Sequence, residues 1–351
     1  MPSPRRIAIV LFNLGGPDAP AAVKPFLFNL FNDRNIIGLP QPMRWLVAKL
    51  ISTRRAPVAA HVYAQMGGRS PILPNTQAQA AALHAALADT GEVRCFIAMR
   101  YWHPFTEDVA RAVKDWEPTE IVLLPLYPQF STTTTASSQR AWDETARKIG
   151  LGAPRRLICC YPDEPGFVAA LADITRQALA ACAGEAPGAE PAIIFSAHGL
   201  PKKIVDAGDP YVAQVEASVG AVARELGLAS AQYRIAYQSR VGPLEWVGPA
   251  TDATILAAAR ARRPIVVVPV AFVSEHSETL VELDIEYGKL AKANGAPAYV
   301  RAPTVSTHPA FVAGLARLVR AALNNEGAIQ PGCTRAACTG HSQCALTRVG
   351  L

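Results

Sequence analysis

The sequence predicts an α/β fold of two similar doubly wound, Rossmann-like domains with parallel sheets. Three observations carry that expectation. Short apolar runs alternate with helical stretches along most of the 351 residues, which is the pattern of βαβ units joined by right-handed crossovers. Several runs are continuously apolar, as strands covered on both faces are. The runs also repeat. Residues 7–17 end strand–Gly-Gly-Pro and residues 192–201 end strand–His-Gly-Leu-Pro. RCFIAMRY at 94–101 is matched by YRIAYQSR at 233–240. EIVLLPL at 120–126 is matched by PIVVVPV at 264–270, each with a proline at the same offset.

In chain order, residues 7–14 (IAIVLFNL) form a buried strand, which Gly15-Gly16-Pro17 breaks. No GxGxxG follows it, so the dinucleotide fingerprint is absent. After a helical stretch comes 39–57, LPQPMRWLVAKLISTRRAP, where Met43, Trp45, Leu46, Leu50 and Ile51 stand among four basic residues. Such a segment suits a membrane surface, and equally a helix packed on a core. Residues 95–101 and 121–126 read as strands, and the second runs into the hydroxyl-rich loop 127–138. A strand leads to Cys159-Cys160, and a helix spans about 166–183. A Gly/Pro/Ala-rich linker at 184–191 opens the second half, whose strands are 192–197, 233–238 and 265–270; a helix at 309–323 precedes a polar tail. The domain division read from this is 1–165, 166–325 and a cysteine-bearing tail, 326–351.

At 50% hydrophobic the chain has ample material for two cores. The net charge of +6 is mild and dispersed, compatible with anionic small molecules or lipid and too diffuse for nucleic acid. No segment reads as a transmembrane helix or a signal peptide. The expectation is a cytoplasmic protein with reduced thiols, so the seven cysteines are no disulfide framework. Cys95 and Cys182 lie in apolar stretches and read as core.

The second strand of the matched pair runs into the densest ionisable stretch, residues 264–287. Glu275, Glu278, Glu282 and Glu286 recur at i, i+3, i+7 and i+11, one row of an α-helix. Val281 and Ile285 border the row on one side, and Leu283, Tyr287 and Leu290 on the other, so its surroundings are apolar rather than solvent. Such a row repels itself unless it holds protons or cations. His198 ends a strand of the same predicted sheet, and the carboxyl ends of such strands converge on one crevice. A histidine beside an acid row reads as a metal ligand or proton acceptor. Tyr63, Tyr101, Trp246 and Phe272 offer flat surfaces, and Arg54, Arg55 and Arg100 can pair with carboxylates.

Six blocks then carry a resemblance: FNLGGPD (12–18), RYWHP (100–104), YPQFS (127–131), FSAHGLP (195–201), YQSRVGPLEWVGPATD (237–252) and SEHSETLVELDIEY (274–287). In order and spacing, from about residue 7 to 323, they resemble the signature blocks of ferrochelatase. The resemblance implies a chelatase-like fold with an active-site cleft between its domains, and insertion of ferrous iron, as substrate, into a porphyrin at the end of haem synthesis. It implies protoporphyrin as substrate, with coproporphyrin III as the alternative; a non-catalytic tetrapyrrole- or metal-binding protein is the competing class.

The roles implied are these. His198 is a metal ligand and acceptor of pyrrole protons, and Glu278 faces it across the macrocycle. Glu275, His276, Glu282 and Glu286 form an acidic path. Leu14, Tyr63, Arg100, Tyr101, Trp246 and Phe272 contact porphyrin, and Arg55 lies on the lip. Leu14 stands where some members have Met, and Glu275 where some have Asp. A bent ring would expose its nitrogens to metal. Some members carry a [2Fe–2S] cluster on C-terminal cysteines plus one distant cysteine. Here Cys333, Cys338 and Cys344 lie in the tail, and Thr132 stands at the distant site used by animal members. Cys159 or Cys160 is then the fourth ligand, as in some bacterial members. Peripheral association with the inner face of the cytoplasmic membrane is expected through 39–57.

Overall fold

The structure, a computed structural model, describes residues 5–240, 244–325, 327–333 and 338–345. Residues 241–243 of the motif at 237–252, and parts of the tail, lie outside this set. The chain divides into two compact units: Met1–Cys159 with Leu315–Gln330, and Cys160–Gly314 with Pro331–Leu351. The sequence reading ended its second domain at residue 325. In the structure the last helix, from Leu315 on, belongs to the first unit instead.

The first unit is built on β1 (Arg6–Asn13), with every residue from Ile7 to Asn13 buried. It is followed by α1 (Val23–Phe31), α2 (Met43–Ala64), α3 (Ile72–Ala86), β2 (Glu92–Met99), α4 (Thr106–Asp115), β3 (Glu120–Pro125), α5 (Thr135–Ile149) and β4 (Arg155–Cys160). β1 lies between β2 and β3, parallel to both, with Ile9 opposite Cys95 and Val122. Continuous apolar sequence is required here because helices cover both faces of a parallel sheet.

The second unit repeats the plan. α6 (Pro165–Glu185) precedes β5 (Ala192–His198), α7 (Lys202–Asp206), α8 (Tyr211–Leu226), β6 (Tyr233–Gln238), α9 (Thr251–Arg260) and β7 (Ile265–Pro269). A π-helical segment, Glu278–Glu286, then runs into α10 (Tyr287–Ala293), followed by β8 (Tyr299–Arg301) and α11 (Pro309–Asn324). A short β9 (Ile329–Pro331) ends the series. The strand orders are β2-β1-β3-β4-β9 and β6-β5-β7-β8. The halves matched in sequence are therefore matched in topology, both of the doubly wound type whose order reverses beside the first strand.

Two expectations change. α6 is long and apolar enough to cross a membrane by length and composition, which the sequence reading denied of every segment. Its residues Phe167, Leu171, Ile174, Ala178 and Cys182 are buried in the second unit, so that apolarity belongs to a core. The acid row is not carried on one α-helix. Glu275 precedes the helix, and the stretch from Glu278 is π-helical, with i→i+5 bonds in place of i→i+4.

Candidate active site

In the second unit the strand order reverses between β5 and β7, where doubly wound sheets bind ligands. His198 is the last residue of β5. Gly199, next to it, donates its N–H to the Gln238 carbonyl at 2.9 Å, and a Cβ there would stand 2.9 Å from that oxygen and 3.3 Å from the Trp246 ring. Only glycine lets β6 and Trp246 approach the histidine turn this closely.

Beyond β7, the first residue of the π-helical segment meets the histidine. His198 Nδ1 lies 2.8 Å from Glu278 Oε2. Burial would raise the Glu278 carboxyl, but the charge and hydrogen bond of His198 outweigh it and hold the group at about 2. Burial would likewise lower His198, and Glu278 raises it above its ordinary value. An ionised carboxylate only accepts, so Nδ1–H is the donor and Nε2 is left to face a ligand. The pair is in direct hydrogen-bond contact, so Glu278 does not face His198 across a macrocycle as the resemblance implied, because 2.8 Å leaves no room for a ring between them.

His276, 7% exposed, brings Nε2 to 3.8 Å from Glu278 Oε2. Burial pushes its basicity down, only partly offset by Glu278 and Glu275. The Phe272 ring packs on it, centroids 4.7 Å apart. Glu282, one step along the segment, accepts from Ser239 N–H (2.9 Å), Ser239 Oγ (2.5 Å), Tyr287 OH (2.8 Å) and Gln238 Nε2 (3.4 Å). Burial and the nearby Glu278 charge still raise its carboxyl above the ordinary value. Glu286 is exposed, so the acids pass from interior to solvent along the segment.

Glu275 stands apart. It accepts from Arg301 Nη1 (3.1 Å), the Thr304 N–H (2.9 Å) and the Thr279 hydroxyl. Thr279 Oγ1 also accepts the His276 N–H at 3.0 Å. Arg301 thus neutralises Glu275, which braces the turn that presents His276 and Glu278.

In the first unit Tyr63 and Tyr101 are buried in one cluster with Val23, Phe26 and Leu27, and Leu14 packs against it. Arg100 lies over the Tyr101 ring, 5.1 Å from its centroid, and Arg55 is exposed on α2. On that helix Met43, Trp45, Leu46, Leu50 and Val58 are also exposed.

Sequence reasoning missed Gln238, Ser239 and Tyr287 as holders of Glu282. Their signal was adjacency to motif residues already singled out. It also missed Asp33, a lone acid between two helices with no periodic pattern to mark it, whose Oδ2 accepts from Arg100 Nη2 at 2.8 Å and from Ser137 Oγ at 2.7 Å.

The profile of the ferrochelatase family matches residues 6–323. The chain belongs to the ferrochelatase family. Ferrochelatase of Phenylobacterium zucineum is 51% identical, over 98% of this chain and 99% of the relative. Ferrochelatase of Caulobacter vibrioides is 50% identical, over 95% and 94%. Among solved structures, the sirohydrochlorin chelatase SirB of Bacillus subtilis subspecies spizizenii, in complex with cobalt, aligns with a TM-score of 0.55 at 11% identity, over 92% of this chain and 97% of that one. That likeness is one of fold. The chain is a metal chelatase of haem synthesis, and Fe(II) is its metal substrate.

This ferrochelatase-family chain has a second cluster of chemistry-bearing groups in its second unit. Cys160, at the end of β4, has Sγ 3.4 Å from Cys333 Sγ and 3.9 Å from Cys338 Sγ, and the last two are 3.6 Å apart. Of the two adjacent cysteines, Cys160 is the one brought to the tail thiols. Cys344 is fully buried and hydrogen-bonded to Cys338. Hydrogen bonding from Cys160 leads the causes that draw the Cys338 thiol below its ordinary value. Gln214 Nε2 on α8 points at Cys338 Sγ, 3.3 Å away. The tail also donates Gln343 N–H to the Gly208 carbonyl at 3.1 Å.

Proposed function

We propose that the chain inserts Fe(II) into protoporphyrin IX, giving protohaem and releasing two protons, with coproporphyrin III as the alternative ring. The observation that carries this is the His198–Glu278 pair at the strand-order reversal, with Glu282 behind it. His198 Nε2 takes a pyrrole proton, and Nδ1–H remains anchored on Glu278, which stabilises the imidazolium formed. Glu282, more ready than an ordinary carboxylate to hold a proton, passes the next one toward exposed Glu286. His276 supports Glu278, and Glu275 serves the path by bracing its start. Leu14, Tyr63, Arg100 and Tyr101 are the porphyrin contacts carried by the first unit, with Arg55 at the lip. Trp246 and Phe272 are those of the second. Anaerobic incubation with Fe(II) and each porphyrin, followed at the Soret band, separates the two substrates. His198→Ala is expected to abolish insertion while the ring still binds. Insertion at near wild-type rate would sink the assignment, and binding of both rings without turnover would favour a carrier.

The cysteine site fits a [2Fe–2S] cluster on Cys160, Cys333, Cys338 and Cys344. Three thiols, Cys160, Cys333 and Cys338, lie within 4.8 Å of one another, Cys344 is hydrogen-bonded to Cys338, and Gln214 supplies a hydrogen-bond donor of the kind that tunes cluster sulfurs. Such a cluster supplies one-electron chemistry when bound. Here these residues serve chiefly to tie the tail to the end of β4. The exposed apolar face of α2, flanked by Lys49, Arg54 and Arg55, is the surface for peripheral, salt-sensitive binding of a cytoplasmic enzyme to anionic lipid.

A further inference from the structure

β6 is the edge strand of the second sheet. Residues 245–250 return along it. Tyr237 donates its N–H to the Pro249 carbonyl at 2.9 Å, and Tyr237 bridges Ala250. The same stretch is tied to the turn after His198. Lys202 N–H meets the Glu245 carbonyl at 2.8 Å, and Val247 N–H meets the Leu200 carbonyl at 3.0 Å. Together with α7 and α8 these segments enclose a cavity of about 490 Å³. That volume falls within the roughly 300–1,000 Å³ of small-molecule sites. Neither His198 nor Glu278 lines it, so it is separate from the catalytic pair.

The lining has two characters. Val205, Val212, Ile235, Tyr237 and Val247 form an apolar floor. Asp206, Glu216 and Glu245 stand exposed around it with one base, Lys202. Lys202 Nζ is held by Asp206, at 2.9 and 2.8 Å from its two carboxylate oxygens. Glu216 and Glu245 have no ion-pair partner among the described residues, so the cavity keeps two uncompensated negative charges. Burial first, and the Glu216 charge second, raise the Tyr237 hydroxyl, which puts that carboxylate near the floor. The acids surround the cavity without converging. Among the described residues they do not reach the mutual spacing of a metal site. Trp246 also lines the cavity, and its buried Nε1 meets no acceptor among the described residues. An unanswered buried donor costs free energy that an oxygen of a ligand recovers.

We propose that this cavity is a further binding site of the chain, for a small organic cation: an ammonium group on an apolar body that also carries a hydroxyl oxygen. The body covers the floor, and the ammonium lies between Glu216 and Glu245. Tyr237 and Trp246 are aromatic partners of the kind such cations favour. The hydroxyl oxygen answers the Trp246 N–H. An anion of the same shape meets two like charges and is rejected. A bare metal ion would leave both the floor and the indole unused.

The probe is tyramine, titrated into the full-length protein without porphyrin or iron and followed by saturation-transfer NMR. Its anionic counterpart is 3-(4-hydroxyphenyl)propionate, which keeps the ring and the oxygen and reverses the charge. Tyramine is expected to bind with a Kd on the order of 1 mM, as suits a ligand of its size, and the propionate at least about tenfold more weakly. Glu216→Gln and Glu245→Gln should each weaken tyramine binding about two- to fivefold, the scale of an exposed ion pair. Val212→Lys places an ammonium in the cavity and should abolish binding; the two glutamate variants carry the test if it fails to fold. His198→Ala should bind tyramine as the wild type does. Absence of saturable binding by about 10 mM, ten times the expected Kd, overturns the proposal. So does equal binding of the propionate, or wild-type affinity in both glutamate variants. Loss of binding in His198→Ala overturns it as well, because the amine would then occupy the catalytic crevice.

Discussion

Glu278→Gln removes a charge while keeping nearly the same shape, so it isolates what the carboxylate does for His198. In the native pair the carboxyl is held at about 2 against an ordinary 4.5. At about 1.4 kcal/mol per factor of ten, that difference is on the order of 3 kcal/mol of net preference for the ionised carboxylate after the opposing effect of burial, to be discounted because the glutamate side chain is 26% exposed. The sign for stability follows from the depressed value. The pair's contribution is complete above the carboxyl's unfolded value and is lost as pH falls through about 2. The same coupling raises His198, whose burial alone would lower it. In the variant, only the lowering influence remains, apart from the more distant Glu282. Nε2 becomes a poorer base, and the imidazolium formed on proton uptake loses its counter-charge. The expected result is a kcat lowered about 100-fold, at the lower end of general-base contributions, with porphyrin KM within about threefold. The limb of the kcat profile reporting His198 should lie above pH 6.5 in the native enzyme and move to lower pH in the variant. The assay is anaerobic Fe(II) insertion followed at the Soret band from pH 5 to 9. An unmoved limb, or a change in KM alone, would show that Glu278 does not set the basicity of His198.

Three further outcomes are expected. Cys338→Ser should bleach the reddish colour of aerobically purified protein, abolish the two irons and two sulfides per chain, and lower the thermal midpoint by several degrees; colourless, iron-free native protein with full activity refutes the cluster. Gly208→Val should destabilise by about 1–3 kcal/mol in urea titration, the range for overpacking and strained backbone. Gly208 has φ +96°, and a Cβ there would overlap Ser342 Oγ of the tail, so an unchanged midpoint would mean that the tail does not pack there. Leu46→Glu with Leu50→Glu, both exposed on α2, should abolish co-sedimentation with anionic vesicles at low salt and leave turnover in detergent unaltered. Retained vesicle binding argues that lipid meets another surface.

The sheets were legible because their strands are buried on both faces. A run such as IVVVP in β7, every residue buried, has no other economical reading, and the echo between the halves exposed the repeated topology. His198 and Glu278 were legible by motif and by strand end. The π-helical turn was not, because a change from i→i+4 to i→i+5 bonding leaves the amino-acid pattern almost unaltered. Glu275 was read as a member of the row because only spacing was visible. Its partner Arg301 is 26 residues away on β8, a pairing that no local pattern encodes. Asp33 was silent for the same reason, with Arg100 and Ser137 lying 67 and 104 residues on. Cys160 could not be told from Cys159 by sequence because both are buried on one strand, and only the sheet's pleat decides which thiol meets the tail.

The division of the chain has a consequence for how the protein is made. The first unit takes back Leu315–Gln330 after the second has been written, and the second takes Pro331–Leu351 last of all. On a ribosome the N-terminal domain ordinarily folds first. Here β1 to β4 emerge early and then wait, without most of α11 and without β9, through the synthesis of some 155 intervening residues (160–314). The first unit is not finished until Leu315–Gln330 leaves the exit tunnel, nor the second until the residues from Pro331 on have followed. A nascent chain stalled near Gly314 therefore lacks a segment of each unit at once, Leu315–Gln330 of the first and the residues from Pro331 on of the second.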